Sequence, residues 1–224
     1  MRILAMSDVH GNFDIYRWMQ FLVAADPVDA VVLAGDLLHG AGDHLSIEEA
    51  QRREADQLVE ILCQLERPVL YVMGNDDMIE LDYEDDHVRP IHQRTVALGD
   101  YEFLGYQFSP PFMGGIHEKL EDEIRNDLSS LEPQMHERTV FVTHTPARGF
   151  RDATSTGINV GSPSVLDTVR RKKVRAHIHG HIHNSFGRDG IHFNVASGRA
   201  FRAMRIDIDE MAHTVVTREG GHKG

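Results

Sequence analysis

Cysteine is nearly absent from this chain: Cys63 is the only one in 224 residues. No disulfide can therefore form within the chain, which excludes a fold that depends on such cross-links. Cys63 ends the largely apolar run 58–63, which is typical of the inner face of a helix. We therefore expect it to be buried as a small hydrophobic side chain.

Long apolar runs are also missing. No stretch approaches the roughly 20 apolar residues that a membrane-spanning helix needs. The apolar residues 1–6 are too few for a secretory signal peptide. These two observations predict a soluble, cytoplasmic protein that has no membrane partner.

Basic side chains are in deficit, with 23 Lys and Arg against 35 Asp and Glu and a net charge of -12. Binding to long nucleic acids depends on basic side chains that displace counterions from the phosphates, so nucleic acid is a disfavoured partner. The one basic cluster, residues 170–175, follows a predicted helix. We interpret it as a solvated helix end, where cations favour the helix dipole.

Apolar strands alternate with amphipathic helices along the first half of the chain. Residues 13–24 have their apolar side chains on one helical stripe, and residues 47–65 show the same spacing. Residues 43–46 predict a cap for the second helix, because Ser46 and Glu49 stand at capping-box spacing. This alternation indicates the α/β class.

After residue 87 the pattern changes to short strands. The runs 95–98 and 102–106 predict neighbouring strands. Antiparallel strands are also predicted in the C-terminal runs 191–195, 204–208 and 214–217. No linker, repeat or low-complexity tract divides the chain, so residues 1–224 are expected to form a single domain.

Five predicted strands run into short polar motifs at residues 7–12, 34–36, 74–77, 142–145 and 179–183. These motifs contain seven side chains able to bind metal: Asp8, His10, Asp36, Asn75, His144, His181 and His183. Mixed Asp, His and Asn ligands at strand ends can hold two divalent ions. If the first strand continued, Asp8 and His10 would point to one side. Most of the other histidines, of 15 in all, are expected at the surface.

In this order the motifs resemble the calcineurin-like metallophosphoesterase superfamily, whose pattern is D-x-H, G-D, G-N-x-[DE], a lone His and G-H-x-H. The resemblance implies two packed mixed β-sheets flanked by helices in a four-layer sandwich. It also implies two divalent ions and a hydroxide between them that attacks phosphorus in line. Mixed nitrogen and oxygen ligands fit manganese, iron, zinc or nickel better than calcium, and we favour manganese.

The resemblance assigns each ligand. Asp8, His10 and His183 would hold the first ion, and Asp36 would bridge the two. The second ion would be completed by Asn75, His144 and His181. Simpler roles exist for each residue alone: a helix cap for Asp8 or Asn12, a turn for Asp36, a core histidine for His144, and a surface pair for His181 and His183. We prefer the simpler role only for Asn12.

Asp76 departs from the family pattern, because many members have a His at this position that helps protonate the leaving group. A carboxylate beside two cations favours its ionised form and is a poor proton donor. Three readings follow: leaving groups of low basicity are preferred, another group supplies the proton, or Asp76 orients a metal ligand. Asp77 matches the family's acidic residue and is expected to support the site rather than react.

The sequence after Asp36 narrows the function. It lacks the longer G-D-x-V-D-R-G signature of Ser/Thr protein phosphatases, and the layout resembles small prokaryotic phosphoesterases related to the cyclic-nucleotide phosphodiesterase branch. The resemblance therefore implies a phosphodiesterase acting on a small phosphate ester, with nucleotides among the candidates. Its catalytic residues would be Asp36, Asn75, Asp76 and His144. The alternatives are a catalytically silent scaffold on the same fold and a nuclease subunit, and a homo-oligomer is left open.

Substrate contacts are harder to assign. Ser162 and Pro163 predict a helix start, which we interpret as a capped surface helix rather than a phosphate-binding loop. Residues 109–115 predict a loop within the domain. Further candidate contacts in predicted loops are His39, His117 and Arg148.

Overall fold

A computed structural model of the protein describes residues 1–40, 45–81, 83–198 and 200–218. The described residues form twelve strands: β1 (Arg2–Met6), β2 (Ala30–Ala34), β3 (Val69–Val72), β4 (Val88–Pro90), β5 (Thr95–Leu98), β6 (Tyr101–Tyr106), β7 (Thr139–Thr143), β8 (Ala176–His179), β9 (Gly187–Asp189), β10 (His192–Asn194), β11 (Arg202–Asp207) and β12 (Ala212–Thr217). They also form four α-helices: α1 (Phe13–Ala25), α2 (Ile47–Cys63), α3 (Glu121–Leu131) and α4 (Pro163–Lys172). None of these helices has the length and apolar composition needed to cross a membrane.

The strands form two mixed sheets of six strands each. The first has the order β12-β11-β1-β2-β3-β4, and the second has the order β5-β6-β7-β8-β10-β9. β11 and β12 are antiparallel, as predicted. β10 lies apart from them in the second sheet, where it pairs antiparallel with β9 and parallel with β8. A local apolar pattern predicts a strand but does not determine its partner.

The alternation of side chains along the strands produces four layers. In β1, Leu4 and Met6 pack with α1 and α2, whereas Ile3 and Ala5 face the second sheet. In β7, Phe141 belongs to the cluster that packs with α3 and α4. The order is therefore helices, sheet, sheet, helices, which confirms the predicted sandwich.

The helix starts follow their capping residues. Asn12 caps α1 through its side chain, and Ser46 and Glu49 form the predicted capping box of α2; residues 43 and 44, also part of that predicted cap, lie outside the described residues. The helix α3 was not predicted from the sequence, because Leu120 at its N-cap offers no side-chain acceptor. The basic residues 170–172 end α4, as predicted.

One prediction about burial is wrong. Cys63 is exposed and lies 3.2 Å from the Tyr83 hydroxyl, because the buried stripe of α2 ends at Leu62. Of the nine described histidines that are not candidate ligands, five are exposed or half-buried, in line with the prediction. The other four are buried: His117, His177, His179 and His192. Three of them lie on β8 and β10, in the interior of the second sheet.

Candidate metal centre

The five motifs follow the carboxyl ends of β1, β2, β3, β7 and β8. These ends meet at one edge of the two sheets, as expected for parallel strands whose loops emerge on the same side. Backbone hydrogen bonds join the first two loops: Asp8 N donates to Gly35 O at 2.9 Å, and His10 N donates to Asp36 O at 3.0 Å. The sheets thereby bring together side chains that lie far apart in the sequence.

The first group of candidate ligands contains Asp8, His10 and His183. One ligand atom from each lies within 4.8 Å of the other two. Nε2 of His183 is 3.0 Å from Asp8 Oδ1 and 3.2 Å from His10 Nε2. These are the three residues that the resemblance assigns to the first ion.

The second group contains Asp36, His144 and His181, whose ligand atoms also lie within 4.8 Å of one another. His144 Nδ1 donates to the carbonyl of Ala34 at 3.0 Å, which leaves Nε2 facing the site. That nitrogen is 2.9 Å from Asn75 Oδ1. The second set implied by the resemblance is therefore also brought together.

The two oxygens of Asp36 face different groups. Oδ1 lies 3.4 Å from His144 Nε2. Oδ2 lies 3.9 Å from His10 Nε2. The backbone N–H of Asp76 donates to Oδ1 at 2.9 Å and helps to fix the carboxylate in this orientation.

Asp76 and Asp77 have different environments. Oδ2 of Asp76 lies 3.2 Å from His10 Nδ1, at the edge of the first group. Asp77 is buried and accepts hydrogen bonds from the backbone N–H groups of Leu37, Leu38 and Gly74 at 2.8–2.9 Å. Burial, followed by the nearby Asp36 charge, raises the pKa of Asp77 to about 7. Asp77 thus ties the loop after β2 to the loop after β3.

The backbone at the site is strained. Asp8, His10, Asp36 and His181 have φ of 55°, 49°, 51° and 68°, in the left-handed region that disfavours side chains other than glycine. The prediction that Asp8 and His10 converge along a continuing strand is wrong, since β1 ends at Met6. The turn, rather than strand alternation, brings them to one side.

Gly180 permits the close approach of the fifth loop to the first. A Cβ atom at this position would overlap Ser7 Oγ and Asp8 Oδ2. The backbone N–H of His181 donates to Asp8 Oδ2 at 2.9 Å across this contact. A side chain at residue 180 would therefore displace a candidate ligand.

The buried carboxylates of the site favour the binding of a cation. Asp8 and Asp36 are 0% and 3% exposed, and in the described residues neither forms an ion pair with Lys or Arg. Burial by itself would lower the pKa of His144, but the carboxylates of Asp36 and Asp8 outweigh it and raise this pKa to about 10. A proton on His144 therefore offsets part of the buried negative charge. Because uncompensated buried carboxylates are costly, the donor set fits divalent ions.

Two clefts open beside the ligand groups. One of about 700 Å³ is lined by His39, with His10 and Asp76. The other, of about 300 Å³, is lined by Phe112 and Met113 among others. Of the candidate substrate contacts, only His39 lines either cleft. His117 is buried against Gln107, and Arg148 is exposed outside both.

Several residues that hold the site in place were not predicted from the sequence. Gln51 of α2 donates to the carbonyl of Asp76 at 2.7 Å, and Glu54 accepts from the N–H of His39 at 2.7 Å. Arg202 donates to the carbonyl of His183 at 2.7 Å. The one available signal was the polar residue Gln51 within a helix that packs on the core.

The N-terminus of α4 is already occupied by a carboxylate. Glu121 Oε1 accepts from Ser162 Oγ and Ser164 N, each at 2.8 Å. This favours the interpretation of residues 161–164 as a capped helix start. A phosphate there would meet an existing negative charge.

The chain belongs to the calcineurin-like phosphoesterase family, whose model matches residues 1–185. A Thermus thermophilus structure is similar with a TM-score of 0.72 at 17% identity, over 96% of this chain and 98% of that one. A dimetal phosphatase from Danio rerio has a TM-score of 0.58 at 12% identity, over 97% and 98%. A novel archaeal phosphodiesterase has a TM-score of 0.51 at 12% identity, over 97% and 100%. These likenesses establish the shared fold. No curated protein matches the sequence.

Proposed function

We propose that the protein is a di-metal phosphohydrolase and, within that class, a phosphodiesterase acting on small phosphate esters. The observation that carries this proposal is the position of Asp36, whose two oxygens face the two ligand groups. A carboxylate so placed can be shared by two cations and reduces their mutual repulsion. Both sheets supply candidate ligands to the same site. We therefore propose that residues 1–224 form one domain.

The ligand set we propose is Asp8, His10 and His183 for one ion and Asn75, His144 and His181 for the other, with Asp36 shared. We propose manganese, because carboxylate and amide oxygens suit it; iron, zinc and nickel, which imidazole suits, are the alternatives. The ions would supply Lewis acidity and lower the pKa of bound water.

The protein's own groups then hold and orient the site. The hydrogen bond from His144 Nδ1 to Ala34 O fixes the ring so that Nε2 faces the metal position. The Asp76 N–H fixes Oδ1 of Asp36. The amide of Asn75 is held against His144, and its N–H groups remain available to a phosphate oxygen.

Preference for a diester follows from charge. The side chain of Asp76 is 28% exposed and borders both clefts, so its carboxylate faces an incoming substrate. A diester carries one negative charge and a monoester carries close to two at neutral pH, so repulsion by Asp76 penalises the monoester more. A nucleotide phosphodiester carries one negative charge on its phosphate and is therefore among the substrates that we propose.

The experiment compares hydrolysis of bis-p-nitrophenyl phosphate and p-nitrophenyl phosphate by metal-stripped protein after addition of manganese, nickel, zinc or magnesium. We expect activity to return with metal and to be greater on the diester. Greater activity on the monoester would overturn the phosphodiesterase assignment. Absence of metal binding would overturn the di-metal site itself.

A further inference from the structure

The loop at residues 110–118, called here the cleft loop, places two apolar side chains beside the candidate ligands. Phe112 and Met113 are 70% and 58% exposed, and both line the 300 Å³ cleft that Asp36, Asn75 and His181 also line. The ring centroid of Phe112 is 5.4 Å from that of His181, in an edge-to-face arrangement. Exposed apolar side chains gathered at a polar site point to a ligand that covers them.

Hydrogen bonds fix the cleft loop. Its two ends are joined, because Ser109 N donates to His117 O at 3.0 Å and Lys119 N donates to Ser109 O at 2.9 Å. The carboxylate of Glu118 accepts from the N–H groups of Phe112, Met113 and Gly114 at 2.7–2.9 Å. Burial would raise the pKa of Glu118, but these donors outweigh it and lower that pKa. The Phe112 ring is thus carried on a loop whose backbone is anchored before any ligand arrives.

The cleft loop also packs directly on a candidate ligand. A Cβ atom at Gly115 would overlap the carbonyl oxygen of Asn75. Only glycine allows the two backbones to approach this closely. The contact between Gly115 and Asn75 therefore fixes the loop that carries Phe112 against the candidate ligands.

The rest of this cleft suits an organic group next to a phosphate. Val160 and Ile182 add apolar surface, whereas Thr154, Ser155 and Asn184 add hydroxyl and amide groups. A phosphate held through metal ions at Asp36 and Asn75 would lie in the cleft that Phe112 also lines, so its ester group could reach the ring. Aromatic rings associate favourably with other flat rings, including nucleobases.

From this arrangement we infer that Phe112, with Met113, is a specificity-determining wall that binds a planar aromatic group of the substrate. The substrate class is then a phosphodiester that carries such a group, for example a nucleobase. The inference rests on the proposed function, because it needs the phosphate to be anchored at the ligand groups.

The binding of phosphonates that the protein does not hydrolyse would test whether Phe112 and Met113 bind an aromatic group. Calorimetry would measure binding of the monomethyl esters of phenylphosphonate and methylphosphonate to the manganese-loaded protein; both carry one charge, as a diester does, and they differ in the ring. We expect the phenylphosphonate ester to bind roughly tenfold more tightly, as one aromatic contact allows.

Phe112→Ala should reduce this ratio to about twofold, whereas Phe112→Tyr, which keeps the ring, should retain it. Phe21→Ala is the matched control, since Phe21 is 66% exposed on α1 and lines neither cleft; it should keep the wild-type ratio.

The two proposals fail in distinguishable ways. An equal affinity for both probes in the wild type, or an undiminished ratio in Phe112→Ala, overturns the wall while diester hydrolysis persists. If neither phosphonate binds while a diester is still hydrolysed, the wall is overturned and the proposed function stands. If no diester is hydrolysed either, the phosphate site and the wall are both overturned.

Discussion

The carboxylate of Asp76 lies 3.2 Å from Nδ1 of His10, while the other ring nitrogen of His10 lies 3.2 Å from His183 Nε2. A carboxylate that holds the Nδ1–H of a histidine directs the lone pair of Nε2 to a metal and makes that nitrogen more basic. Burial alone would lower the pKa of His10, but Asp76 and the neighbouring carboxylates raise it. We therefore interpret Asp76 as a positioning residue for His10, which is one of the three readings left open by the sequence.

Asp76→Asn should weaken metal binding at the first group by about tenfold, because the amide orients His10 less strongly than a carboxylate does. Metal titration of the stripped protein measures this affinity, and the pH dependence of hydrolysis should change with it. Asp122→Asn is the control, since the Asp122 side chain is 85% exposed on α3 and pairs with Arg125. Unchanged metal affinity and an unchanged pH profile would contradict the positioning role.

Asp76→His tests the missing proton donor. An imidazole at this position could protonate a basic leaving group, so we expect activity on alkyl diesters to rise by up to about a hundredfold, the lower end of the range of general-acid catalysis. At a metal concentration that saturates both ligand groups, little change is expected on p-nitrophenyl diesters, whose leaving group needs no proton. If alkyl and p-nitrophenyl diesters respond equally, residue 76 takes no part in proton transfer.

Asp36→Ala should abolish hydrolysis, by at least about a hundredfold, and lower the occupancy of both metal positions, because each Asp36 oxygen faces a different ligand group. Elemental analysis would give the number of metal ions per chain, and a diester assay would give the activity. Loss of one ion alone would mean that Asp36 serves a single metal. Full activity would exclude the shared role.

Gly180→Ala should disrupt the site through packing. The added methyl group overlaps Ser7 and Asp8, so we expect a loss of about 1–3 kcal/mol in the free energy of unfolding together with weaker metal binding. Gly190→Ala is the control: φ at Gly190 is +57°, yet no atom lies within 4 Å of an added Cβ. It should cost about 1–2 kcal/mol of backbone strain and leave metal binding intact. Equal metal binding by both variants would show that the contact between the two loops is dispensable.

The buried histidines outside the site should make stability depend on pH. His192 lies 2.9 Å from His177, Nδ1 to Nδ1, and stacks on Phe150. Burial lowers the pKa of His192 to about 4 from its ordinary 6.5. The unfolded chain therefore binds a proton first, so this contribution to stability is complete above pH 6.5 and is lost as the pH falls towards 4. The loss is about 2 kcal/mol between pH 7 and pH 5.

Urea unfolding of metal-free wild type and His192→Phe at pH 7 and pH 5 measures this contribution. The variant keeps a ring against Phe150 but loses the contact with His177, at about 1 kcal/mol. Its stability should fall less between the two pH values than that of the wild type. His87→Phe, at an exposed histidine, should retain the wild-type difference. An unaltered difference in His192→Phe would contradict the linkage.

Local signals predicted most elements, because Asn12, Ser46 and Ser162 are side-chain caps and the strands are apolar runs. The order of the motifs predicted the family and the layered fold. The helix α3 was missed because Leu120 is not a capping residue, and the partners of β10 could not be predicted because pairing depends on distant strands. The two ligand groups were predicted from a resemblance, whereas their geometry depends on turns that no periodicity describes. Phe112 was missed because exposure beside a site is a property of the fold.

The left-handed backbone of Asp8, His10, Asp36 and His181 has an evolutionary consequence. Each of these positions costs about 1–2 kcal/mol relative to glycine, and metal binding by the side chains would offset that cost. A descendant that no longer needed the metals would gain stability by exchanging these residues for glycine. Relatives that have lost catalysis should therefore drift towards glycine at these four positions first, ahead of His144 or Asn75, whose backbones are unstrained.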